Sequence, residues 1–172
     1  SEVAPLAAGQ LRLWFLHRLS PGSTVYNVHF GLRLWGPLRA EVLRAGLGAL
    51  RRRHTLLRAT FQEVDGHPRV VPETPDAWDL AEVDLRDRPA PNRQSLVAAL
   101  ASAQAAVPFD LARGPLVRAT LVLLDAQEHE LLVTMHHIIT DGWSWNIVVS
   151  EIATLYQVLG QGAGSPLPEL PL

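Results

Sequence analysis

The chain has 172 residues, 48% of them hydrophobic, with 15 basic residues that are all arginine, 17 acidic residues and a formal net charge of −2. A chain of this length fits one domain that buries roughly two-thirds of its unfolded surface, and the apolar share excludes a disordered polymer. The near-neutral charge gives no basis for general nucleic-acid or membrane-surface binding, and the absence of cysteine excludes disulfides, zinc fingers and thiol catalysis.

Residues 7–19 (AAGQLRLWFLHRL) place Leu11, Trp14, Phe15 and Leu19 on one face, which predicts a short core-packing helix ended by Pro21-Gly22. Residues 27–34 alternate imperfectly and predict a strand. Pro37 opens a helix to about Arg53, with Val42, Leu43, Leu47 and Leu50 along one side and Gly46 and Gly48 weakening it locally. Residues 58–64 and 68–71 flank Asp65-Gly66, a strong hairpin signal. Residues 78–85 form a further candidate strand, and the Ala-rich stretch 94–107 is a helix that Pro108 stops.

Two apolar runs, 116–124 and 130–139, are joined by the polar turn Asp125-Ala126-Gln127-Glu128 and read as antiparallel neighbours deep in a sheet. Residues 144–159 form the last helix, with Ile147, Val148, Ile152 and Leu155 as its buried face. Residues 161–172 are rich in Gly and Pro and read as the start of a linker, leaving 1–160 as the folded unit. There is no internal repeat. The mixture predicts an α+β class with a mixed or antiparallel sheet flanked by helices.

No apolar run reaches the length of a membrane span, and the start, Ser1-Glu2-Val3-Ala4-Pro5, has neither the basic start nor the apolar core of a signal peptide. The expectation is a cytoplasmic protein. The heavy use of Ala, Arg, Leu and Pro without lysine points to a GC-rich bacterial genome.

Chemistry concentrates in Met135-His136-His137-Ile138-Ile139-Thr140-Asp141-Gly142-Trp143-Ser144, at the exit of a buried strand and before a helix. Strand ends that feed loops are where rigid elements aim side chains. Adjacent strand residues point to opposite faces, so one imidazole can face a cleft while the other packs. Two roles fit Asp141: orienting His137 as a base, or holding the loop by an internal salt bridge. Gly142 permits a turn conformation forbidden to side chains, and its amide, near the helix start, suits a developing negative charge. Opposed histidines cannot chelate one ion, and no cysteine or third spaced histidine supports zinc, so no metal is expected.

The stretch His136-His137-Ile138-Ile139-Thr140-Asp141-Gly142-Trp143-Ser144 resembles the core motif, HHxxxDG, of condensation domains of nonribosomal peptide synthetases. Residues 8–16 (AGQLRLWFL) resemble the first motif of that family and residues 53–61 (RHTLLRATF) its second. Tyr26-Asn27, Pro108-Phe109-Asp110 and Gly114-Pro115-Leu116 also fall where the family has such residues, and Ala7 departs from a common Ser or Thr. The resemblance implies a chloramphenicol-acetyltransferase-like lobe, the N-terminal one of two arranged as a V, with the motif at the floor of a tunnel between them.

The resemblance further implies joining of a donor acyl or peptidyl thioester to an acceptor aminoacyl thioester, each on a peptidyl carrier protein. No cofactor is bound directly; phosphopantetheine arms come with the carriers, and the C-terminal lobe and an adenylation domain of the same synthetase are the other implied partners. His137 would act on the acceptor amine, imidazole being the side chain whose ordinary pKa of about 6.5 leaves it a proton acceptor at neutral pH. The Gly142 amide would face the oxyanion, Asp141 would pair with Arg58 or Arg53, His136 would pack, and Trp143 and Ser144 would shape the start of the helix. An isolated N-terminal half is expected to be inactive alone, as a scaffold that binds carrier proteins weakly. Two other activities are compatible with the motif. An epimerisation domain of the same superfamily is one, and Trp145 and Ile147 echo it, although Trp143 and Arg12-Leu13-Trp14 favour condensation. A coenzyme-A-dependent acyltransferase with the looser His137-x-x-x-Asp141 pattern is the other.

Overall fold

The computed structural model describes residues 3–74, 79–140 and 145–162. Its elements are β1 (Ala4–Pro5), α1 (Ala8–Leu19), β2 (Asn27–Trp35), α2 (Ala40–Arg53), β3 (Ala59–Val64), β4 (His67–Pro72), β5 (Leu80–Asp84), α3 (Ala90–Ala105), β6 (Val117–Asp125), β7 (Glu128–His136) and α4 (Trp145–Gly160). Short 3-10 turns cover Thr55–Arg58 and His137–Ile139. The class is α+β, as expected.

The larger sheet has the order β2-β7-β6-β5, with β7 antiparallel to both neighbours and β5 parallel to β6. The two continuous apolar runs are therefore the central strands, covered on both faces. Period-two alternation divides their side chains. Leu121, Leu131, Val133 and Met135 join the main core with Leu43, Leu47 and Leu50 of α2 and Val148, Ile152 and Leu155 of α4. Val122, Leu124 and Leu132 turn the other way and meet Val97 of α3. A smaller sheet, β1-β4-β3, is antiparallel throughout. Its hairpin turn holds Asp65 at φ 52° and Gly66 at φ 75°, both in the left-handed region that Asp-Gly favours.

Several expectations are corrected. On α1, Trp14 is buried, but Phe15 is 55% and Leu19 80% exposed. The buried stripe passes instead through Gln10 and Trp14. A polar residue lies on that stripe because the Gln10 side chain folds back to accept the Ala7 N–H at 3.0 Å, so apolar spacing does not report the face. On α4 the stripe is Val148, Ile152 and Leu155, at the spacings i, i+4 and i+7, and Ile147 falls off it and is exposed. The strand expected over 130–139 ends at His136, because its partner β2 begins at Asn27, opposite His136, and the chain then curls into the 3-10 turn. The helix expected at 94 starts at Ala90, since Pro91 is tolerated in a first turn. The helix expected from Pro37 starts at Ala40. Strand β5 lies inside the expected 78–85, with Trp78 outside the described residues. Gln161 and Gly162 form a turn after α4, and the remainder of the expected linker is outside the described residues. No helix among the described residues is long and apolar enough to cross a membrane.

Candidate active site

Strand β7 carries the site. At its end His136 donates its N–H to the Leu116 carbonyl at 3.0 Å, and His137 donates its N–H to the Tyr26 carbonyl at 2.8 Å. The backbone is thus pinned from both sides where the two imidazoles emerge. The His136 ring is 2% exposed and sits among the rings of His17, Tyr26 and Phe109, at centroid distances of 6.1, 6.3 and 6.3 Å. Its Nδ1 accepts the Ile138 N–H at 3.0 Å. Burial, then the neighbouring His17 and His137, push its pKa down to about 4, so His136 is neutral at physiological pH.

His137 is exposed. Its ring lines a cavity of about 370 Å³ together with Gly9, Gln10, Arg12, Leu13, Tyr26 and Ile138. Helix α1 forms the facing wall, so the first motif and the histidine motif meet across one cavity. The His137 Nδ1 lies 2.5 Å from Thr140 Oγ1, which in turn donates to the His137 carbonyl at 2.8 Å. Opposed orientation of the two histidines was expected from strand alternation. The structure achieves it differently, since His137 opens the 3-10 turn rather than closing the strand.

Asp141, Gly142, Trp143 and Ser144 lie outside the described residues. The two arginines considered for Asp141 are placed. Arg53 Nε donates to Glu151 Oε1 at 3.1 Å, and His54 Nε2 lies 2.5 Å from Glu151 Oε2, all three side chains being nearly buried. Arg58 Nη1 donates to the Glu73 carbonyl at 2.8 Å. Asn27 Nδ2 bridges the carbonyls of Ala105 and Val107 at 2.9 and 3.0 Å, and so ties the start of β2 to the segment after α3. Phe109 is buried under the Arg118 guanidinium, 3.7 Å above its ring.

The family-like motifs contain Thr140 and the wall residues Gln10, Arg12, Leu13 and Tyr26, but sequence reasoning assigned them no role at the site, and it missed Glu151 altogether. A signal existed for Thr140, a hydroxyl three residues after the histidine. None existed for Glu151, whose partners are distant in sequence.

Residues 1–171 match the family model of the condensation domain. Chondramide synthase cmdD of Chondromyces crocatus is 38% identical over 172 residues, covering 100% of this chain and 4% of that protein. Phosphinothricin tripeptide synthetase PhsC of Streptomyces viridochromogenes is 39% identical over 168 residues, covering 98% of this chain and 16% of that protein. The crystal structure of the starter condensation domain of rhizomide synthetase RzmA superposes with a TM-score of 0.88 at 26% identity, covering 99% of this chain and 41% of that one. The chain therefore spans a small part of these synthetases and about two-fifths of that solved chain. A histidine pair with one ring packed and one ring on a cavity wall, in a fold that superposes on part of a solved condensation domain, agrees with the family match over nearly every residue: this chain belongs to the condensation-domain family.

Proposed function

We propose that the chain supplies the histidine-bearing wall of a site that forms peptide bonds between carrier-bound thioesters. The observation that carries this reading is the exposed His137 ring on the wall of the cavity shared with α1. The acceptor α-amine attacks the donor thioester carbonyl. The C–N bond forms, the C–S bond breaks, and the proton lost by nitrogen is balanced by the thiol released on the donor's phosphopantetheine arm. His137 receives or orients the amine N–H, and general acid–base help of this kind contributes about 10²–10⁴-fold. The Gly142 amide faces the oxyanion and Asp141 holds the loop through Arg53 or Arg58; the motif supports both roles. Carrier proteins, the adenylation domain that loads them and a C-terminal lobe complete the machinery. The synthetase relatives and the 41% coverage of the rhizomide condensation chain support that setting.

The test mixes the purified chain, alone and joined to the C-terminal lobe, with donor- and acceptor-loaded carrier proteins and follows the dipeptidyl thioester by mass spectrometry. Product is expected only with both lobes, because aligning two thioester arms accounts for up to roughly 7–11 kcal/mol of such barriers. It should be lost on His137→Ala while circular dichroism is unchanged. Robust product from the chain alone would refute the half-site reading, and product indifferent to His137→Ala would refute the site. Inverted stereochemistry at a carrier-bound residue without amide formation would instead identify an epimerase. Acyl transfer from coenzyme A without carrier protein would identify the other acyltransferase.

A further inference from the structure

We infer that Thr140 is a positioning residue that fixes His137 as its Nδ1–H tautomer, leaving the Nε2 lone pair as the basic face of the ring. Proton counting fixes the assignment. Thr140 Oγ1 lies 2.8 Å from the His137 carbonyl oxygen and 2.5 Å from His137 Nδ1. A carbonyl oxygen only accepts, so the proton between it and Oγ1 belongs to the threonine hydroxyl. A hydroxyl has one proton, and that proton is now used. The short contact to Nδ1 is then a hydrogen bond only if the ring nitrogen supplies the proton. Neutral imidazole carries one N–H, so Nε2 bears the lone pair. Among the described residues nothing else bonds the His137 ring.

The local fold explains why a residue three positions on can do this. In a 3-10 turn, side chains at i and i+3 eclipse, and His137–Ile139 is such a turn, with the Thr140 N–H also donating to the His137 carbonyl at 3.0 Å. The neighbouring ring is set the opposite way by the same segment. His136 Nδ1 accepts the Ile138 N–H, so its proton sits on Nε2. Two adjacent histidines thus hold opposite tautomers, one packed as a neutral structural group and one presenting a basic nitrogen. The orienting role that triad logic assigns to a carboxylate is filled here by a hydroxyl. An attacking amine needs an acceptor for its N–H, and Nε2 of this tautomer is one without any prior proton shift.

The tautomer stands on geometry alone, and only its catalytic use rests on the function proposed above. The chain is labelled with ¹⁵N-histidine, and long-range ¹H–¹⁵N spectra are recorded at about pH 8, above the ordinary imidazole range. The His137 signals are identified by their loss in His137→Gln. In the parent, Nδ1 of His137 should be pyrrole-type and Nε2 pyridine-type, with the reverse for His136. Thr140→Val, nearly isosteric, should move His137 toward the Nε2–H form, and Thr140→Ser should restore the parent pattern. A parent spectrum with His137 in the Nε2–H form overturns the inference without any variant, as does a Thr140→Val spectrum like the parent's. In the complete domain, Thr140→Val should lower kcat by roughly 10–100-fold, a part of the about 10²–10⁴-fold that general acid–base help supplies, with KM for both loaded carriers nearly unchanged. The serine variant should regain most of kcat. An altered tautomer with undiminished kcat would refute the catalytic use while leaving the tautomer assignment intact.

Discussion

His136 and His137 are covalent neighbours, yet one ring is enclosed by three others and the next lines a cavity, because the strand ends between them. Alternation along a strand predicts the opposed orientation that is found, but not for the reason it holds, since His137 lies past the end of the strand. The change of backbone at His137 was not legible, since it depends on where β2 ceases to supply a partner. The same limit applies at the start of α1. Gln10 occupies N3 and its side chain returns to the Ala7 N–H, which is one half of a capping box. Alanine at position 7 has no oxygen to return the bond, so no side chain caps the first turn from that end. The Ala7 backbone is already extended, at φ −65° and ψ 160°, as an N-cap residue requires. Ala7→Ser should therefore complete the box without strain and stabilise the chain by about 1 kcal/mol. Thermal melting should show a rise of about 2–4 °C. An unchanged midpoint would mean that the N-cap hydroxyl does not reach the N3 amide.

Helices α2 and α4 run antiparallel and are tied at both ends. At one end the Arg39 N–H donates to Tyr156 Oη at 3.0 Å and Arg39 Nη2 to the Gly160 carbonyl at 2.6 Å. At the other, Arg53 and His54 share the Glu151 carboxylate. The apolar faces that join them were largely readable: Val42, Leu43, Leu47 and Leu50 are all buried, as the spacing indicated, and only Ile147 of the α4 set is not. The ties were not readable, because a shared carboxylate some 97 residues away leaves no local pattern. The two helix glycines differ in what surrounds them. A Cβ on Gly46 would meet Leu155 Cβ and the Tyr156 N at 3.7 Å, in the seam between the helices. A Cβ on Gly48 would meet only the far end of the Arg52 side chain, at 3.6 Å. Helical glycine costs roughly 0.5–1 kcal/mol relative to alanine through backbone entropy, so Gly48→Ala should stabilise by about that amount. Chemical denaturation with an unchanged m-value is the measure. A lower midpoint would show that position 48 is packed more tightly than its neighbours indicate.

Across the whole molecule, His17, His129 and His136, whose pKa values burial lowers, are spread over the fold and contribute to its response to acid. His136 lies at the site end of β7 and is depressed to about 4 by burial first, then by His17 and His137. His129, near the opposite end of the same strand, is lowered by burial and by Arg86, with Glu128 opposing. His17 on α1 is lowered by burial, with Asp110 opposing. In the unfolded chain all three titrate near the ordinary value of about 6.5. Above about pH 6.5 neither state binds these protons, and the stability they represent is fully present. As pH falls, the unfolded state takes up protons that the folded state refuses, so stability declines toward pH 4, where His136 at last protonates in place. The window from about pH 6.5 to 5 isolates histidine, because ordinary carboxylates remain largely ionised there. Each fully depressed histidine contributes a slope of about 1.4 kcal/mol per pH unit near the acid side of that window. His136→Asn is the discriminating variant: its Oδ1 can accept the Ile138 N–H as Nδ1 does, and it cannot titrate. The variant loses ring packing and should be less stable near pH 7.5, yet its stability should fall less steeply from about pH 6.5 to 5, by about one proton's worth of slope. Denaturation series at matched ionic strength measure both slopes. Equal slopes in parent and variant would show that His136 is not held neutral in the folded chain, and would assign the acid response to His17 and His129 instead.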